Sequence, residues 1–379
     1  MFEKKEPSNV VLILVFFFVI GCMPIYYLFH QDISFSDTEN RSLQGKPSFS
    51  LSSFLRGTYQ TEQKKYYEDQ FIKRDTLVRL RSTGEVLLQK KELHDVYVGK
   101  ENTLMEGTYV PTKASLQNKE KALKQFTEEN PSLTFTFLLI PTKIGLYKNL
   151  LPSHALEEDQ TSYITTFYQS LPDTVKKIDA VKILKQHQKE NLYYKTDHHW
   201  TSLGAKYVYE AYVKQVLKEE VPSYQTYIAN TSFYGSLSKK TGLYQTADTV
   251  SFYVNEKIKN TVNYVQEKKI VTSLFDKSKQ YSSDPYTIFL GGNYARIDIN
   301  TNVANQKHLL LLKDSYANAM LPMLVSHFAS ITVIDPRYYY DNLEKVIQER
   351  EITDVLFLYN ANTFFEQSTL EELLREKNT

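Results

Sequence analysis

His308-Leu309-Leu310-Leu311-Leu312-Lys313-Asp314-Ser315-Tyr316 is an unbroken apolar run that ends in a sharp polar turn. A run of this length and character reads as a strand buried on both faces. The apolar segment 317–328 is expected to form the helix that follows it. Ile331-Thr332-Val333-Ile334-Asp335 then reads as a second buried strand, 343–350 as a helix and 354–359 as another strand. Strand, helix, strand, helix, strand is the pattern of a parallel sheet covered on both faces.

The same rhythm extends towards the amino terminus. Thr287-Ile288-Phe289-Leu290 runs into Gly291-Gly292-Asn293, read as a strand end followed by a flexible turn with an amide donor. Leu133 to Ile140 is a central strand, and Pro141-Thr142-Lys143 closes it at the carboxyl edge, where open α/β sheets place their sites. Segments 114–129 and 163–171 carry helical patterns, 175–184 contains a short strand, and Thr201 or Ser202 can cap a helix over 203–218. Segment 222–284 differs: it is rich in Tyr, Ser and Thr, with short alternating strands such as Val250-Ser251-Phe252-Tyr253-Val254. It is expected to be an inserted β-rich lobe within a main domain spanning 113–379, shaping a substrate groove.

Residues 31–112 read as a linker and front elaboration. The stretch 31–50 is extended, 54–91 is helical with a break near Asp75, and a hairpin turns at Gly99-Lys100-Glu101-Asn102. Segment 10–29 is apolar, uncharged and about 20 residues long, enough to cross a bilayer. Lys4 and Lys5 before it favour a cytoplasmic amino terminus, with everything beyond residue 31 outside. A cleaved signal peptide would want small residues where Tyr26-Tyr27-Leu28-Phe29 stands. Val19-Ile20-Gly21-Cys22 fits a lipobox, but Met23 to Phe29 stays apolar where lipoproteins turn polar; an uncleaved anchor over 1–30 is the reading adopted.

The chain has 45 basic and 44 acidic side chains, which gives no polyanion-binding signature and no reason to expect a nucleic-acid partner. Its one cysteine, Cys22, lies in the apolar leader, so the remainder has no disulfide, thiolate metal site or catalytic cysteine. The 29 tyrosines fit either sugar-facing surfaces or a compositional bias of the genome.

Chemistry concentrates in Tyr193-Tyr194-Lys195-Thr196-Asp197-His198-His199-Trp200. One carboxylate and two imidazoles suggest a metal site or the base half of a nucleophilic triad. A metal would need a third ligand, and none stands nearby at ligand spacing. Asp-x-His, with the aspartate orienting an imidazole that deprotonates a serine, uses these residues more economically. His198 is then a structural neighbour. Ser315, after a buried strand and at the start of a helix, is either an ordinary helix cap or a nucleophile beside converging N–H groups.

Asp197-His198-His199-Trp200, Glu39-Asn40-Arg41, Gly291-Gly292-Asn293, Lys313-Asp314-Ser315-Tyr316, Ile334-Asp335-Pro336-Arg337-Tyr338 and Val355-Leu356-Phe357-Leu358-Tyr359-Asn360 together resemble the DHHW family of bacterial cell-surface proteins. That family looks like a branch of the SGNH hydrolases and is similar to the alginate O-acetyltransferases. The resemblance implies an SGNH-like (flavodoxin-like) α/β fold in which Ser315 is the nucleophile, His199 the general base and Asp197 its orienter. Asn293 and Gly292 are expected at the oxyanion, and Tyr316, Trp200 and Arg337 at the substrate, with Trp200 alternatively packing the loop. The serine motif reads Lys-Asp-Ser where a typical SGNH member has Gly-Asp-Ser, so Lys313 departs from the pattern. Asp and His also precede Ser, a permuted order shared with the alginate enzymes. The implied activity is transfer of an acetyl group to a cell-surface glycan, without metal or cofactor, the acetyl being supplied by a membrane-bound O-acyltransferase. The alternatives are an acetylesterase using the same triad and an inactive glycan-binding envelope subunit.

Overall fold

The computed structural model describes residues 7–29, 31–36 and 41–375, and the chain divides into two compact units between Val78 and Arg79. In the first, Pro7–Phe29 is one helix, and its Val10–Tyr27 portion is long and apolar enough to cross a membrane. Phe35–Ser36 pairs antiparallel with Arg41–Ser42; Glu39 and Asn40 of the family motif lie outside the described residues. The expected helical segment is interrupted twice. Leu51–Leu55 and Thr58–Asp69 are separated at Gly57, where φ is +79°, and Arg74–Leu87 begins after Lys73 takes φ +51°.

The second unit is built on an eight-stranded sheet. In chain order its strands are β1 (Thr134–Ile140), β2 (Lys176–Lys177), β3 (Asn260–Tyr264), β4 (Lys269–Val271), β5 (Arg296–Thr301), β6 (His308–Lys313), β7 (Ser330–Ile334) and β8 (Asp354–Asn360). Their spatial order is β4-β3-β5-β7-β6-β8-β1-β2. The five strands β7, β6, β8, β1 and β2 are parallel, and β5, β3 and β4 continue the sheet in antiparallel pairings. Alternation along the strands feeds two cores. Leu138, Ile140, Leu309, Leu311, Val333, Leu356 and Leu358 pack on one face; Phe137, Leu139, Leu310, Leu312, Ile334, Val355 and Phe357 pack on the other. The strands carry near-continuous apolar runs because both faces are covered.

Register fixes where chemistry can occur. Leu312 pairs with Ile334, Lys313 with Leu358, and Asn360 with Ile140, so four parallel strands end together on one edge. Because β5 runs the opposite way, with Arg296 opposite Ile334, the Gly291-Gly292-Asn293 turn arrives at that same edge.

Three expectations change. The segment 317–328 is not one helix: a 3₁₀ turn over Ser315–Ala319 gives way to Leu321–Leu324. Pro322 lacks an N–H, and its ring would clash with the carbonyl four residues back in a continuous helix. Segment 287–290 is not a strand either, since Pro285–Ile288 forms a 3₁₀ turn capped by Asp284. The chain then reverses through Leu290, Gly291 and Gly292 at φ +63°, +79° and +140°. Finally, only part of 222–284 lies outside the main sheet, as the hairpin Gln225–Phe233 with Asp248–Val254, and its Ala229, Phe233 and Val250 pack into the same core; β3 and β4 belong to the main sheet.

Candidate active site

The loop carrying Asp197 is shaped from several sides before any catalytic geometry appears. The Asp248 carboxylate accepts the N–H groups of Lys195 and Thr196, each at 2.8 Å. The buried Lys143 ammonium, just past β1, donates to the carbonyls of Leu104 at 2.6 Å and Asp197 at 2.9 Å. Burial lowers its pKa to about 8, with Asp248, Asp197 and Glu106 opposing. Gly235 passes so close that a Cβ there would lie 2.2 Å from the Asp197 Cβ. That approach lets the Ser236 N–H donate to Asp197 Oδ2 at 2.7 Å.

Asp197, His199 and Ser315 then meet. His199 Nδ1 lies 2.6 Å from Asp197 Oδ1, and His199 Nε2 lies 2.8 Å from Ser315 Oγ. Burial favours a neutral Asp197, but the imidazoles of His198 and His199, the His199 hydrogen bond and the Ser236 N–H outweigh it and hold the carboxyl well below its usual range. Burial, assisted by His198, pushes His199 down to about 4 against the pull of Asp197. An ionised Asp197 can only accept, so Nδ1 carries the imidazole proton and the Nε2 lone pair faces the Ser315 hydroxyl.

Ser315 opens a 3₁₀ turn straight after β6, and the buried Asp314 ties that turn to the sheet. Its carboxylate accepts from the Tyr316 N–H at 2.9 Å and from the Asn360 backbone and side-chain N–H groups at 2.9 and 2.6 Å. Among the described residues no protein acceptor takes the Ser315 N–H. Tyr286, a residue without any sequence signal, stacks on the His199 ring at 3.8 Å and donates its hydroxyl proton to the Ser315 carbonyl at 3.0 Å.

The other expected site residues fall into different roles. Trp200 is completely buried, stacked on Tyr316, and donates Nε1–H to the Tyr316 carbonyl at 2.8 Å, so it packs the loop and cannot face a sugar. Tyr316 is itself buried, with its hydroxyl on the His198 carbonyl at 2.6 Å, though it lines a cavity beside the triad. His198 is more than a structural neighbour: it lines that cavity and its Nδ1 lies 2.7 Å from Ser236 Oγ. Arg337 grips the buried Asp335 through two guanidinium nitrogens at 2.8 and 2.6 Å. Gly292 takes a φ that side-chain-bearing residues rarely adopt. Asn293 is exposed, but its Oδ1 accepts from Lys313 Nζ at 2.9 Å and from Asn318 Nδ2 at 3.2 Å. Lys313 also donates to Asn318 Oδ1 at 2.9 Å and lies 3.6 Å from Asp335. The departure from glycine in the serine motif thus supplies a buried cation that organises the Asn293 turn.

Asp197, His198 and His199 present ligand atoms within 4.8 Å of one another. Of these, all but His198 Nε2 are engaged in the hydrogen bonds above, which suits a proton relay better than an ion.

The loop bearing Asp197 and His199 thus meets Ser315 at the carboxyl edge of a mostly parallel α/β sheet, with the first two residues preceding the serine in sequence. A family model described as DHHW protein matches residues 130–334, more than half of the chain, and the chain belongs to that family. A DHHW family protein from Eubacterium siraeum DSM 15702 is similar at 24% identity, covering 74% of this chain and 95% of its own, with a TM-score of 0.65. Bacillus cereus PatB1 is 25% identical, covering 71% of this chain and 97% of its own at a TM-score of 0.60. The same protein with a sulfonyl adduct gives 21%, 75%, 97% and 0.61. Among curated protein sequences there is no match.

Proposed function

We propose that this protein is a membrane-anchored, extracytoplasmic O-acetyltransferase that moves an acetyl group through Ser315 to hydroxyls of a cell-surface glycan. The observation that carries the reading is the continuous relay from Asp197 through His199 to Ser315, at 2.6 and 2.8 Å. As Ser315 Oγ attacks the donor carbonyl carbon, His199 Nε2 takes its proton and returns it to the leaving group. In the second half, His199 takes a proton from the acceptor hydroxyl. That oxygen bonds to the acetyl carbon, the bond to Ser315 Oγ breaks, and Ser315 regains a proton from His199. The developing oxyanion is assigned to the Ser315 N–H and the Asn293 side-chain amide, each such donor contributing about 10²–10³ in rate.

The Pro7–Phe29 helix is assigned as the anchor, with the second unit on the outer face. Its Val10–Tyr27 portion carries no charged side chain that could handle a polar donor inside the membrane, so a membrane-bound O-acyltransferase is the partner this reading requires.

Incubation with an activated acetyl ester is the test. Wild type should release the leaving group and carry acetyl on the Ser315 peptide, and with oligosaccharide present it should acetylate the glycan. Ser315→Ala should lose all three while keeping its melting temperature. Free acetate as the sole product, with acceptor present, would make the protein an esterase. Unchanged turnover in Ser315→Ala would end both enzyme readings and leave a glycan-binding subunit.

A further inference from the structure

The cavity beside the triad has a volume of about 460 Å³, and His198, Tyr316 and Asn360 belong to its lining. A second cavity of about 610 Å³ shares Glu92, Asp95 and Tyr97 with it and is lined in addition by Lys90, Lys91, His94 and His154, so the acidic excess belongs to the first. The first cavity has a one-sided charge. Glu92, Asp95, Glu106, Glu157 and Glu366 line it, from the antiparallel sheet of Glu92–Leu93, Val96–Val98 and Leu104–Glu106, the loop before 160 and the end of helix Ala361–Glu366. Among the described residues that line it, Lys240 is the one lysine or arginine. Among the described residues none of the five carboxylates is in an ion pair; Glu157 is held by the Thr108 N–H at 2.8 Å. Clefts lined by one sign of charge focus the field and repel ligands of that sign, an effect that salt screens.

We propose that the first cavity holds the acceptor and that its carboxylates restrict the acceptor to glycans without carboxylates or phosphates, built of neutral or amino-bearing sugars. The inference rests on the acyl-transfer reading and adds the chemistry of the acceptor to it. Glu and Asp oxygens accept hydrogen bonds from sugar hydroxyls or ammonium groups, and Tyr97 and Tyr109 offer rings beside them. A uronate chain would place its own carboxylates against this excess of negative charge.

The full-length protein is supplied with an activated acetyl ester and three acceptors of equal length: a neutral chito-oligosaccharide, its de-N-acetylated form and an oligouronate. Both of the first two should be acetylated, and the oligouronate should show kcat/KM at least tenfold lower at low salt. That gap should narrow as salt is raised. A Glu92→Gln/Glu106→Gln/Glu366→Gln variant, checked for folding by its melting temperature, should accept the oligouronate several-fold better than wild type. If that triple variant does not fold, the single Glu92→Gln and Glu366→Gln changes at exposed positions should each move the ranking in the same direction. An oligouronate used as well as or better than the neutral chain, or a ranking untouched by these substitutions, overturns the inference and leaves the transferase reading standing. Acetate release with no acceptor acetylated removes the transferase reading, and this inference with it.

Discussion

Burial and the adjacent His198 push the His199 imidazole down to about 4, so at neutral pH it is an unprotonated base already aimed at Ser315. Its acid limb should therefore lie far below that of an ordinary histidine. For an activated acetyl ester, turnover should persist below pH 5 and fall through about 4 as His199 protonates, any step near 6 belonging to the buried Asp314; an NMR midpoint near 6.5 for the His199 imidazole would refute the assignment. For His199 the sign is that between about 4 and 6.5 the unfolded chain binds the proton that the folded chain refuses, while Asp314, raised by burial to about 6, acts the opposite way. The His199 contribution is complete above about 6.5 and is lost as pH falls through about 4, and Asp197, also held low, acts in the same direction. Asp197→Asn removes the acceptor that fixes the tautomer, and turnover should drop by roughly 10³–10⁴. Lys313 is testable at the same scale. Two donors occupy Asn293 Oδ1, which leaves Nδ2 free to donate. Lys313→Met should lower kcat roughly 10–100-fold with little change in KM, the effect of losing or misaiming one oxyanion donor. Combined with Asn293→Ala it should cost little more than either change alone, whereas additive losses would separate the two residues. Asp335 keeps Arg337 in that variant, so no buried charge is orphaned.

Elements differ in how much of themselves they show in sequence. The strands ending at Ile140, Lys313, Ile334 and Asn360 were legible because a strand buried on both faces must be apolar throughout. The antiparallel half of the sheet was not. β3 carries Asn260, Thr261 and Asn263 among its five residues, and its place depends on pairing with β5 across more than thirty residues. The apolar run after Ser315 is misleading for a related reason: burial makes it apolar, while Pro322 determines its conformation. The triad was readable because its three side chains come from two short motifs. Tyr286 and Asp248 were not, since each is an ordinary residue until the fold sets it against the Asp197 loop or the Ser315 turn, and Lys143 was visible only as a strand end at the carboxyl edge. Gly235 is the sharpest case, a glycine whose importance lies in the lack of a side chain. Gly235→Ala should force the segment 235–236 off Asp197, cost roughly 1–3 kcal/mol of stability and cut turnover of an activated ester at least tenfold. If the variant melts and turns over like wild type, the close approach does not matter.

At the scale of the whole molecule, the sheet collects at one edge the groups that the sequence holds far apart. Lys143, Asn293, Ser315, Asp335 and Asn360 span more than two hundred residues yet sit at or just past strand ends on that edge. All of them lie in the second unit, Arg79–Thr379. The Pro7–Phe29 helix buries none of its apolar Val10–Tyr27 window within the protein. An exposed apolar stretch of that length is a liability in water and a favourable fit in a bilayer about 30 Å thick. Catalysis and anchorage should therefore separate cleanly. In membrane fractions the intact chain should remain in the pellet through high-salt and alkaline washing, as expected of a spanning helix and not of surface charge. Deleting residues 1–30 should release it to the supernatant with kcat/KM for an activated acetyl ester within about twofold of the intact chain, since the deletion removes no group from the site. Retention of the truncated chain in the pellet would place the attachment elsewhere, and loss of ester turnover in a folded truncation would show that the helix supports the site.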